Sequence, residues 1–228
     1  MQHTIHLQLQ VPTAVRPSPR VLQVAGMFGL GLDETRTQTL IPPTELTLAP
    51  RQVIFITGAS GGGKTSLLRL IAQQASQHAD LRVIHFDNLP DPPDAPLVDA
   101  LDLPLADTLR LLSVAGLNDA FVMLRRPCEL SDGQRYRFRL ARTMAAVEAD
   151  ISGAMHVVLA DEFGAALDRV TAQVIAANIR KWTRRAGTPP VCFIAATTHD
   201  DLLEALEPDV VIEKGPGSAI ELAFGGNR

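Results

Sequence analysis

Hydrophobic and polar residues alternate near the start of the chain. Apolar side chains occupy every second position from Ile5 to Val11, which is the pattern of a half-buried β-strand. A second stretch with strand-like composition runs from Val21 toward Phe28, and a third covers Leu46–Leu48. We therefore predict that the first fifty residues form an antiparallel β layer.

From residue 53 onward the pattern changes to short, almost uninterrupted apolar runs separated by amphipathic stretches. Continuous apolar runs are typical of parallel strands buried on both faces, and amphipathic stretches are typical of the helices that cover them. The pattern therefore predicts an α/β fold with a mainly parallel core sheet. The predicted strands are Val53–Thr57, Arg82–Phe86, His156–Ala160, Val191–Ala196 and Val210–Ile212.

The stretch between Asn88 and Glu129 interrupts this alternation. It begins with four prolines in nine residues and continues through the helix-like ADTLRLLSVAG, so it predicts a small helical insert. We predict one domain with three parts. These are an antiparallel layer in residues 1–50, a core in residues 51–87 and 131–228, and a helical insert in residues 88–130.

Composition narrows the class of protein. With 228 residues, 46% hydrophobic residues and a net charge of −4, the chain is expected to form one globular domain and not a disordered one. No apolar run reaches the roughly 18 residues of a membrane span, and no secretory leader is visible, so a cytoplasmic protein is expected. Cys128 and Cys192 lie in no metal-binding motif, and we expect both to be packed, unreactive thiols.

A glycine-rich loop follows the strand at 53–57. It reads GASGGGKT, fits the pattern G-x-x-x-x-G-K-[ST] and leads into a predicted helix. Glycines allow a tight loop whose N–H groups point at phosphate oxygens, and the helix N-terminus adds the positive end of its dipole. Lys64 would reach the β- and γ-phosphates, and the Thr65 hydroxyl would bind Mg²⁺. No guanine-reading Asn/Thr-Lys-x-Asp element is present, which favours ATP. The predicted nucleotide-binding residues here are Gly58, Ala59, Ser60, Gly61, Gly62, Gly63, Lys64, Thr65 and Ser66.

Two later strands end in polar residues that suit phosphate chemistry. The strand at 156–160 ends in Asp161 and Glu162, and the strand at 191–196 is followed by His199. Ligands of such sheets bind at the carboxyl edge, so these side chains would lie beside the glycine-rich loop. Asp161 would then hold Mg²⁺, Glu162 would act as the general base for water, and His199 would contact the γ-phosphate. We predict Lys64, Glu162 and His199 as catalytic residues, although solvated charges after strands are common.

A family resemblance becomes visible at residues 130–134, which read LSDGQ and are followed by RYRFRLAR. Together with GASGGGKT, VVLADE, Ala166-Leu167-Asp168 and His199, in this order, the sequence resembles the ATP-binding-cassette (ABC) ATPases over most of residues 45–200. The resemblance implies a P-loop NTPase whose two copies pair head to tail around ATP. It also implies that Ser131, Gly133 and Gln134 cap the nucleotide of the other copy, and that Asp168 bridges the two sites.

The resemblance leaves some assignments open. Where the family usually has a Gln after the second core strand, this chain has Asp87-Asn88, so either residue could fill that position, and we predict Asp87 as a further Mg²⁺ ligand. Phe28 is the candidate for stacking on adenine. Asp132 replaces the third residue of the signature, usually Gly, and places a carboxylate near the triphosphate, so pairing of the two copies would be weaker or differently tuned.

Three functions fit these motifs. We expect first a soluble, non-transport ATPase that drives an unknown effector protein. Fewer residues separate Lys64 from Asp87 than is usual in transporter cassettes, and the segment after Asp87, where the family contacts membrane subunits, is altered and Pro-rich. The stretches 161–185 and 197–214 also look similar to soluble ABC-type ATPases associated with acetyltransferase-like domains. The alternative is the nucleotide-binding subunit of a membrane transporter, which would partner a membrane subunit. A small-molecule kinase would have no use for the LSDGQ signature. Two basic clusters, Arg135–Arg142 and Arg180–Arg185, leave nucleic acid open as a partner, although such clusters are more often solvated.

Overall fold

The computed structural model describes residues 2–13, 16–29 and 36–225. The strands are β1 (His3–Thr13), β2 (Arg36–Leu48), β3 (Gln52–Thr57), β4 (Leu81–His85), β5 (Met155–Ala160), β6 (Val191–Ala196), β7 (Val210–Lys214) and β8 (Ile220–Phe224). The helices are α1 (Pro19–Met27), α2 (Lys64–Ala75), α3 (Leu105–Val114), α4 (Ala120–Met123), α5 (Asp132–Ala149), α6 (Arg169–Arg184) and α7 (Leu203–Leu206). Short 3₁₀ turns cover Phe86–Asn88, Pro127–Glu129 and Asp200–Leu202.

Six strands form the core sheet, in the order β4–β5–β6–β3–β7–β8. The first five of these run parallel, and β8 pairs antiparallel with β7. The predicted α/β fold with a mainly parallel sheet is therefore confirmed. β8 is a strand that the hydrophobic pattern did not predict, because Glu221 interrupts its apolar residues and the strand lies largely exposed at the edge of the sheet.

Helices and a β ribbon cover the two faces of this sheet. On one face, Leu67 and Ile71 of α2 pack with Ile5 and Leu46 of the ribbon formed by β1 and β2. On the other face, side chains of α3, α5 and α6, such as Trp182, form the larger core. Both faces are therefore buried, as the apolar runs of the parallel strands require.

The prediction of a strand from Val21 toward Phe28 is wrong. This segment is helix α1, which begins where Ser18 accepts a hydrogen bond from the Val21 N–H at 3.3 Å and Pro19 occupies the first turn. A serine cap followed by proline is a helix-start signal that outweighs the β-branched composition of the stretch. The antiparallel layer is the pair β1–β2, and the predicted strand at Leu46–Leu48 is the end of β2.

Residues 88–130 contain α3 and α4, joined by irregular segments. The turn at Phe86–Asn88 ends β4 one residue earlier than predicted. None of the helices in the described residues is both long enough and apolar enough to cross a lipid bilayer.

Candidate functional site

The glycine-rich loop between β3 and α2 is folded tightly against β7. A Cβ atom on Gly58, whose φ is +136°, would lie 2.1 Å from the Lys214 carbonyl oxygen, and one on Gly62 would lie 2.9 Å from the Ala59 carbonyl oxygen. Gly63 caps α2 in the left-handed region, with φ of +96°. Only glycine fits at Gly58 and Gly62 without displacing backbone, and glycine adopts the left-handed conformation of Gly63 without strain, which explains the spacing of glycines in the sequence.

The two polar side chains at the start of α2 are held in place by hydrogen bonds. The Lys64 ammonium donates to the carbonyl oxygens of Gly58 at 2.7 Å and Ala59 at 2.9 Å, so it lies across the loop. The Thr65 hydroxyl donates to a carboxylate oxygen of Asp161 at 2.7 Å. The structure therefore brings together the Lys, Thr and Asp that the sequence predicted at one site.

An open cavity of about 450 Å³ lies above this loop. Glu162 lines it directly after Asp161, and its backbone is in the left-handed region with φ of +47°. Such a conformation is strained for a non-glycine residue, and strain of this kind is often found at functional sites. The lining residues are Ser60, Gly61, Gly63, Lys64, Thr65, Ser66, Asp161, Glu162, Ala165, Thr197 and Thr198.

His199 directly follows Thr198, which is the last residue after β6 that lines this cavity. Its backbone N–H donates to the Thr197 hydroxyl at 3.2 Å, and its side chain is half-buried. Next to it, Asp200 accepts a hydrogen bond from the Thr57 hydroxyl at the end of β3. The segment after β6 is thus tied to the strand that carries the glycine-rich loop, although His199 itself does not line the cavity.

Asp87 lies in the turn after β4 and forms an ion pair with Arg139 of α5 at 3.0 Å. It also lines a smaller cavity of about 160 Å³ together with Thr65, Asp161 and Asn88. Burial raises the pKa of Asp87, and the charges of Asp161 and Glu162 raise it further, whereas Arg139 lowers it. Asp87 therefore belongs to the acidic group around Thr65, while Arg139 supplies its counter-charge.

The signature residues form the start of α5. The Ser131 hydroxyl accepts from the Gln134 N–H at 3.3 Å and the Gln134 side chain accepts from the Ser131 N–H at 3.0 Å, which is a capping box. A Cβ on Gly133 would lie 3.6 Å from the Ala166 carbonyl oxygen, so the helix start packs against the segment before α6. None of Ser131, Gly133 and Gln134 lines the cavity of its own chain.

Asp168 caps helix α6. Its side chain accepts a hydrogen bond from the Thr171 N–H at 2.9 Å. Hydrogen bonding from the Thr171 side chain, and then from this N–H, lowers the pKa of the Asp168 carboxyl group. A carboxylate at a helix N-terminus is stabilised by the exposed N–H groups there. Asp168 therefore has a structural role within its own chain, as the cap of α6.

Phe28 lies at the end of α1 with 74% of its surface exposed, and it does not line the cavity. Of the two cysteines, Cys192 is buried, and burial raises its pKa to about 12. The expectation that Cys128 is packed is wrong: it lies exposed in the turn before the signature. Its neighbour Pro127 is the buried residue of that turn.

The basic clusters are largely engaged within the chain. Arg139 pairs with Asp87, and Arg142 donates to the Pro90 carbonyl oxygen at 2.7 Å. In the second cluster, Arg180 and Arg184 both bind the Asp209 carboxylate, Arg180 through two bonds of 2.7 and 3.2 Å. These contacts explain why the arginines cluster on α5 and α6 without invoking nucleic acid.

Several residues in or beside the site were missed from the sequence: Ala165, Thr197 and Thr198 line the cavity, and Lys214 and Tyr136 contact the segments around it. Lys214 at the end of β7 is 1% exposed, and its ammonium donates to the carbonyl oxygens of Gly215 and Gly217 directly behind the glycine-rich loop. Tyr136 of α5 accepts a hydrogen bond from the Gly164 N–H at 2.9 Å, close to Glu162. The only sequence signal for Lys214 was a charge ending an apolar run, which most often marks a solvated strand end.

The chain is similar to several proteins of known type, although no protein-family model matches it. The aliphatic sulfonates import ATP-binding protein SsuB of Delftia acidovorans is 32% identical, over 70% of this chain and 68% of that protein. The taurine import ATP-binding protein TauB of Pseudomonas fluorescens (strain Pf0-1) is 34% identical, over 81% and 75%. The sulfate/thiosulfate import ATP-binding protein CysA of Salmonella typhi is 30% identical over 79% of this chain, which spans only 55% of the length of CysA.

Solved structures agree at the level of the fold. The dimeric structure of MJ0796, a bacterial ABC transporter cassette, superposes with a TM-score of 0.61 at 18% identity, over 85% of this chain and 94% of that one. A dimeric post-hydrolysis state of the same cassette, bound to ADP and Pi, gives a TM-score of 0.63 at 15% identity, with both chains fully covered. At such identities the similarity concerns the fold alone.

Proposed function

Because this chain belongs to the family of ABC ATPases, we propose that it binds and hydrolyses ATP and serves as the nucleotide-binding subunit of a membrane transporter. The observation that carries the ATPase proposal is the convergence of Lys64, Thr65, Asp161 and Glu162 around one cavity above a glycine-rich loop. The transporter part rests on the relatives, whose names describe ATP-binding proteins of import systems.

The residues beside Thr65 suit a magnesium ion. The Thr65 hydroxyl and an Asp161 carboxylate oxygen lie 2.7 Å apart, and Asp87 lines the same small cavity, so three hard oxygen donors are grouped together. Oxygen donors of this kind are the ligands that Mg²⁺ prefers. When bound, Mg²⁺ would neutralise part of the phosphate charge. We infer that Thr65, Asp161 and Asp87 hold it.

The remaining residues supply binding and proton chemistry. The loop N–H groups and the N-terminus of α2 would bind the phosphate oxygens, and Lys64 would turn from its carbonyl partners toward the γ-phosphate. Glu162, placed in the cavity wall, would orient the attacking water and accept its proton. His199, held after β6, would approach the γ-phosphate once nucleotide is bound.

Hydrolysis is proposed to require two copies of the chain. Ser131, Gly133 and Gln134 present N–H and hydroxyl donors at the start of α5 yet lie outside the cavity of their own chain. A second copy arranged head to tail would bring these donors to the triphosphate, where a helix N-terminus favours negative charge. The dimeric structures with the same fold support this arrangement.

The soluble, non-transport role that the sequence favoured has the weaker support. Its main arguments from the sequence are the short spacing between Lys64 and Asp87 and the altered, Pro-rich segment that begins at the turn after β4, where the ABC resemblance implies a contact with membrane subunits. In this chain Arg139 forms an ion pair with Asp87 of that turn, and Arg142 donates to the Pro90 carbonyl oxygen just after it, so these contacts occur within the chain. The similar ATP-binding proteins of import systems support the transporter role, and they align with most of this chain. The structure gives no separate observation in favour of a small-molecule kinase or of a nucleic-acid partner.

The ATPase proposal is tested by Glu162→Gln. We expect the variant to bind ATP as the parent does and to hydrolyse it roughly 10²–10⁴-fold more slowly, because it lacks the general base. Phosphate release in the presence of Mg²⁺ measures turnover, and Glu204→Gln, at an exposed position of helix α7, is the matched control. Unchanged turnover in Glu162→Gln would remove Glu162 from the mechanism.

The transporter proposal needs a separate measurement. The tagged chain is expressed in its native host, membranes are solubilised in mild detergent, and the proteins that copurify with it are quantified. We expect one protein with several membrane spans in fixed ratio, which raises the ATPase rate when both are placed in lipid vesicles. A chain that stays in the supernatant with full ATPase activity and no such protein would favour the soluble role.

A further inference from the structure

A cluster of two histidines and one carboxylate lies where β1 meets the turn between α2 and β4. The His3 Nε2 atom is 3.2 Å from an Asp80 carboxylate oxygen, and the rings of His3 and His78 meet edge to face with centroids 5.4 Å apart. One ligand atom from each of His3, His78 and Asp80 lies within 4.8 Å of the other two. No step of the proposed ATPase mechanism uses these residues.

We propose that His3, His78 and Asp80 form a binding site for a first-row transition-metal dication, with Zn²⁺ as the best fit. Imidazole nitrogens and a carboxylate oxygen are common Zn²⁺ ligands, whereas Mg²⁺ and Ca²⁺ prefer oxygen donors alone. Ligands bound at about 2.0–2.1 Å in a tetrahedron lie roughly 3.3 Å apart. The separation of His3 and Asp80 already matches this value, and a side-chain rotation of His78 would complete the third contact.

The backbone that carries these ligands is fixed on three sides. The His78 carbonyl accepts from the Leu81 N–H at 3.1 Å, and the Asp80 carbonyl accepts from the Met155 N–H at 3.0 Å. His3 pairs with Leu48 at the start of the β1–β2 ribbon. The side chain of His3 is 12% exposed, so it is directed inward and not into solvent. Ligands on fixed backbone lose little freedom on binding, which favours affinity.

The position of the cluster suggests a structural role for the metal. Leu81 and Met155 begin β4 and β5, so the cluster lies at the amino edge of the sheet, opposite the edge where the glycine-rich loop binds. A cavity of about 100 Å³ lined by His3 and Asp80 gives room for a water molecule as fourth ligand. A bound ion would join the β1–β2 ribbon to the turn before β4.

Zn²⁺ titration of the full chain tests this site. Binding is measured by competition with a chromogenic chelator, without nucleotide and with excess Mg²⁺ to occupy exposed carboxylates. We expect one tight equivalent in the parent, and at least roughly tenfold weaker binding in His3→Ala and His78→Ala, since loss of even an outer-shell partner costs about 10–100-fold in metal affinity. Cys128→Ser, which removes the exposed thiol, should keep the tight site.

The matched control is His6→Ala. His6 is on the same strand and also faces a carboxylate, with its Nδ1 atom 3.5 Å from Glu45, but its side chain is 75% exposed and it belongs to no cluster of three metal-ligating side chains among the described residues. It should bind Zn²⁺ as the parent does. A parent without a tight equivalent, or a His78→Ala variant that binds like His6→Ala, would overturn the proposal.

A second readout separates metal binding from folding. Zn²⁺ should raise the melting temperature of the parent and of His6→Ala, because a ligand that binds only the folded state stabilises it. Zn²⁺ should not raise the melting temperature of His78→Ala. This substitution lies in a surface turn, so the variant is expected to fold even if His3→Ala does not. Ca²⁺, which prefers oxygen donors, should act equally on the parent and on His78→Ala. An equal Zn²⁺ effect in His78→Ala would contradict the site.

Discussion

Tyr136→Phe removes one hydroxyl and leaves the ring in place. That hydroxyl accepts the Gly164 N–H at 2.9 Å in a buried position, with Tyr136 only 7% exposed, and the ring packs 4.9 Å from that of Phe86. In the variant the ring contact remains, but the Gly164 N–H is left without its acceptor. The bond joins α5, which carries the signature, to the segment just after Glu162, so it holds two parts of the proposed site together.

An unsatisfied buried N–H costs about 1–3 kcal/mol. For a chain of this size each kcal/mol corresponds to about 2–4 °C in melting temperature, so the variant should melt roughly 2–12 °C below the parent. The matched control is Thr183→Val. The Thr183 hydroxyl donates to the Ile179 carbonyl at 2.8 Å, and this carbonyl keeps its helical partner, so the loss should stay below about 1 kcal/mol.

The pH dependence of the same variant gives a second test. Burial raises the pKa of Tyr136 above the ordinary value of about 10. In the unfolded chain the phenol loses its proton above that value, whereas the folded chain keeps it. The contribution of this group to the free energy of unfolding is therefore complete below about pH 10 and falls as pH rises further.

The difference between parent and Tyr136→Phe should consequently be constant from about pH 7 to 10 and narrow above it. Urea unfolding followed by circular dichroism at several pH values measures this difference. A Tyr136→Phe variant as stable as the parent, or one no less stable than Thr183→Val, would refute the assigned hydrogen bond. A difference that widens above pH 10 would refute the direction of the pKa shift.

Two further variants test the phosphate loop and the signature. Gly58→Ala should reduce ATP affinity strongly, because the new Cβ would lie 2.1 Å from the Lys214 carbonyl oxygen. Gly153→Ala should leave ATP affinity unchanged, because Gly153 also has a positive φ, +75°, but a Cβ there would have nothing within 4 Å. Calorimetric titration of both variants with ATP measures the two affinities. Equal affinities would mean that the loop does not bind nucleotide in this form. Ser131→Ala should weaken ATP-driven pairing more than ATP binding to the monomer, whereas Ser18→Ala, which removes a comparable helix cap, should weaken neither. Sedimentation with and without ATP decides this, and a loss confined to monomer binding contradicts capping by a second copy.

The sequence predicted those parts of the fold that depend on local pattern. Continuous apolar runs identified all five parallel strands, with ends correct to within two residues, because a strand buried on both faces leaves no room for polar side chains. Phosphate binding by the glycine-rich loop could also be predicted from local sequence, since Lys64 and Thr65 follow the glycines directly. Asp161 could be placed beside them because parallel strands end at one edge of the sheet.

Contacts between distant residues could not be predicted in the same way. The pairing of Asp87 with Arg139 and the bond from Gly164 to Tyr136 depend on how α5 lies over the sheet, which no local pattern encodes. The burial of Lys214 has the same origin. The wrong prediction of a strand from Val21 has a different cause, because here a local signal existed. Ser18 followed by Pro19 marks a helix start, but the prediction gave more weight to the β-branched residues after it.

We expect the carboxylate of Asp132 to weaken the proposed pairing of two copies less than its place in the signature suggests. In the structure Arg135, one turn along α5, binds Asp132 at 2.5 Å, and Arg139, one turn further, binds Asp87 at 3.0 Å. Both carboxylates that depart from the ABC pattern therefore have an arginine partner on the signature helix. Such exposed or half-exposed pairs contribute only about 0–1 kcal/mol to stability, so their main effect is on local charge. Because Arg135 balances the charge of Asp132, the side chains at the start of α5 carry almost no net charge. The positive end of the helix dipole would then remain available to a triphosphate bound by a second copy.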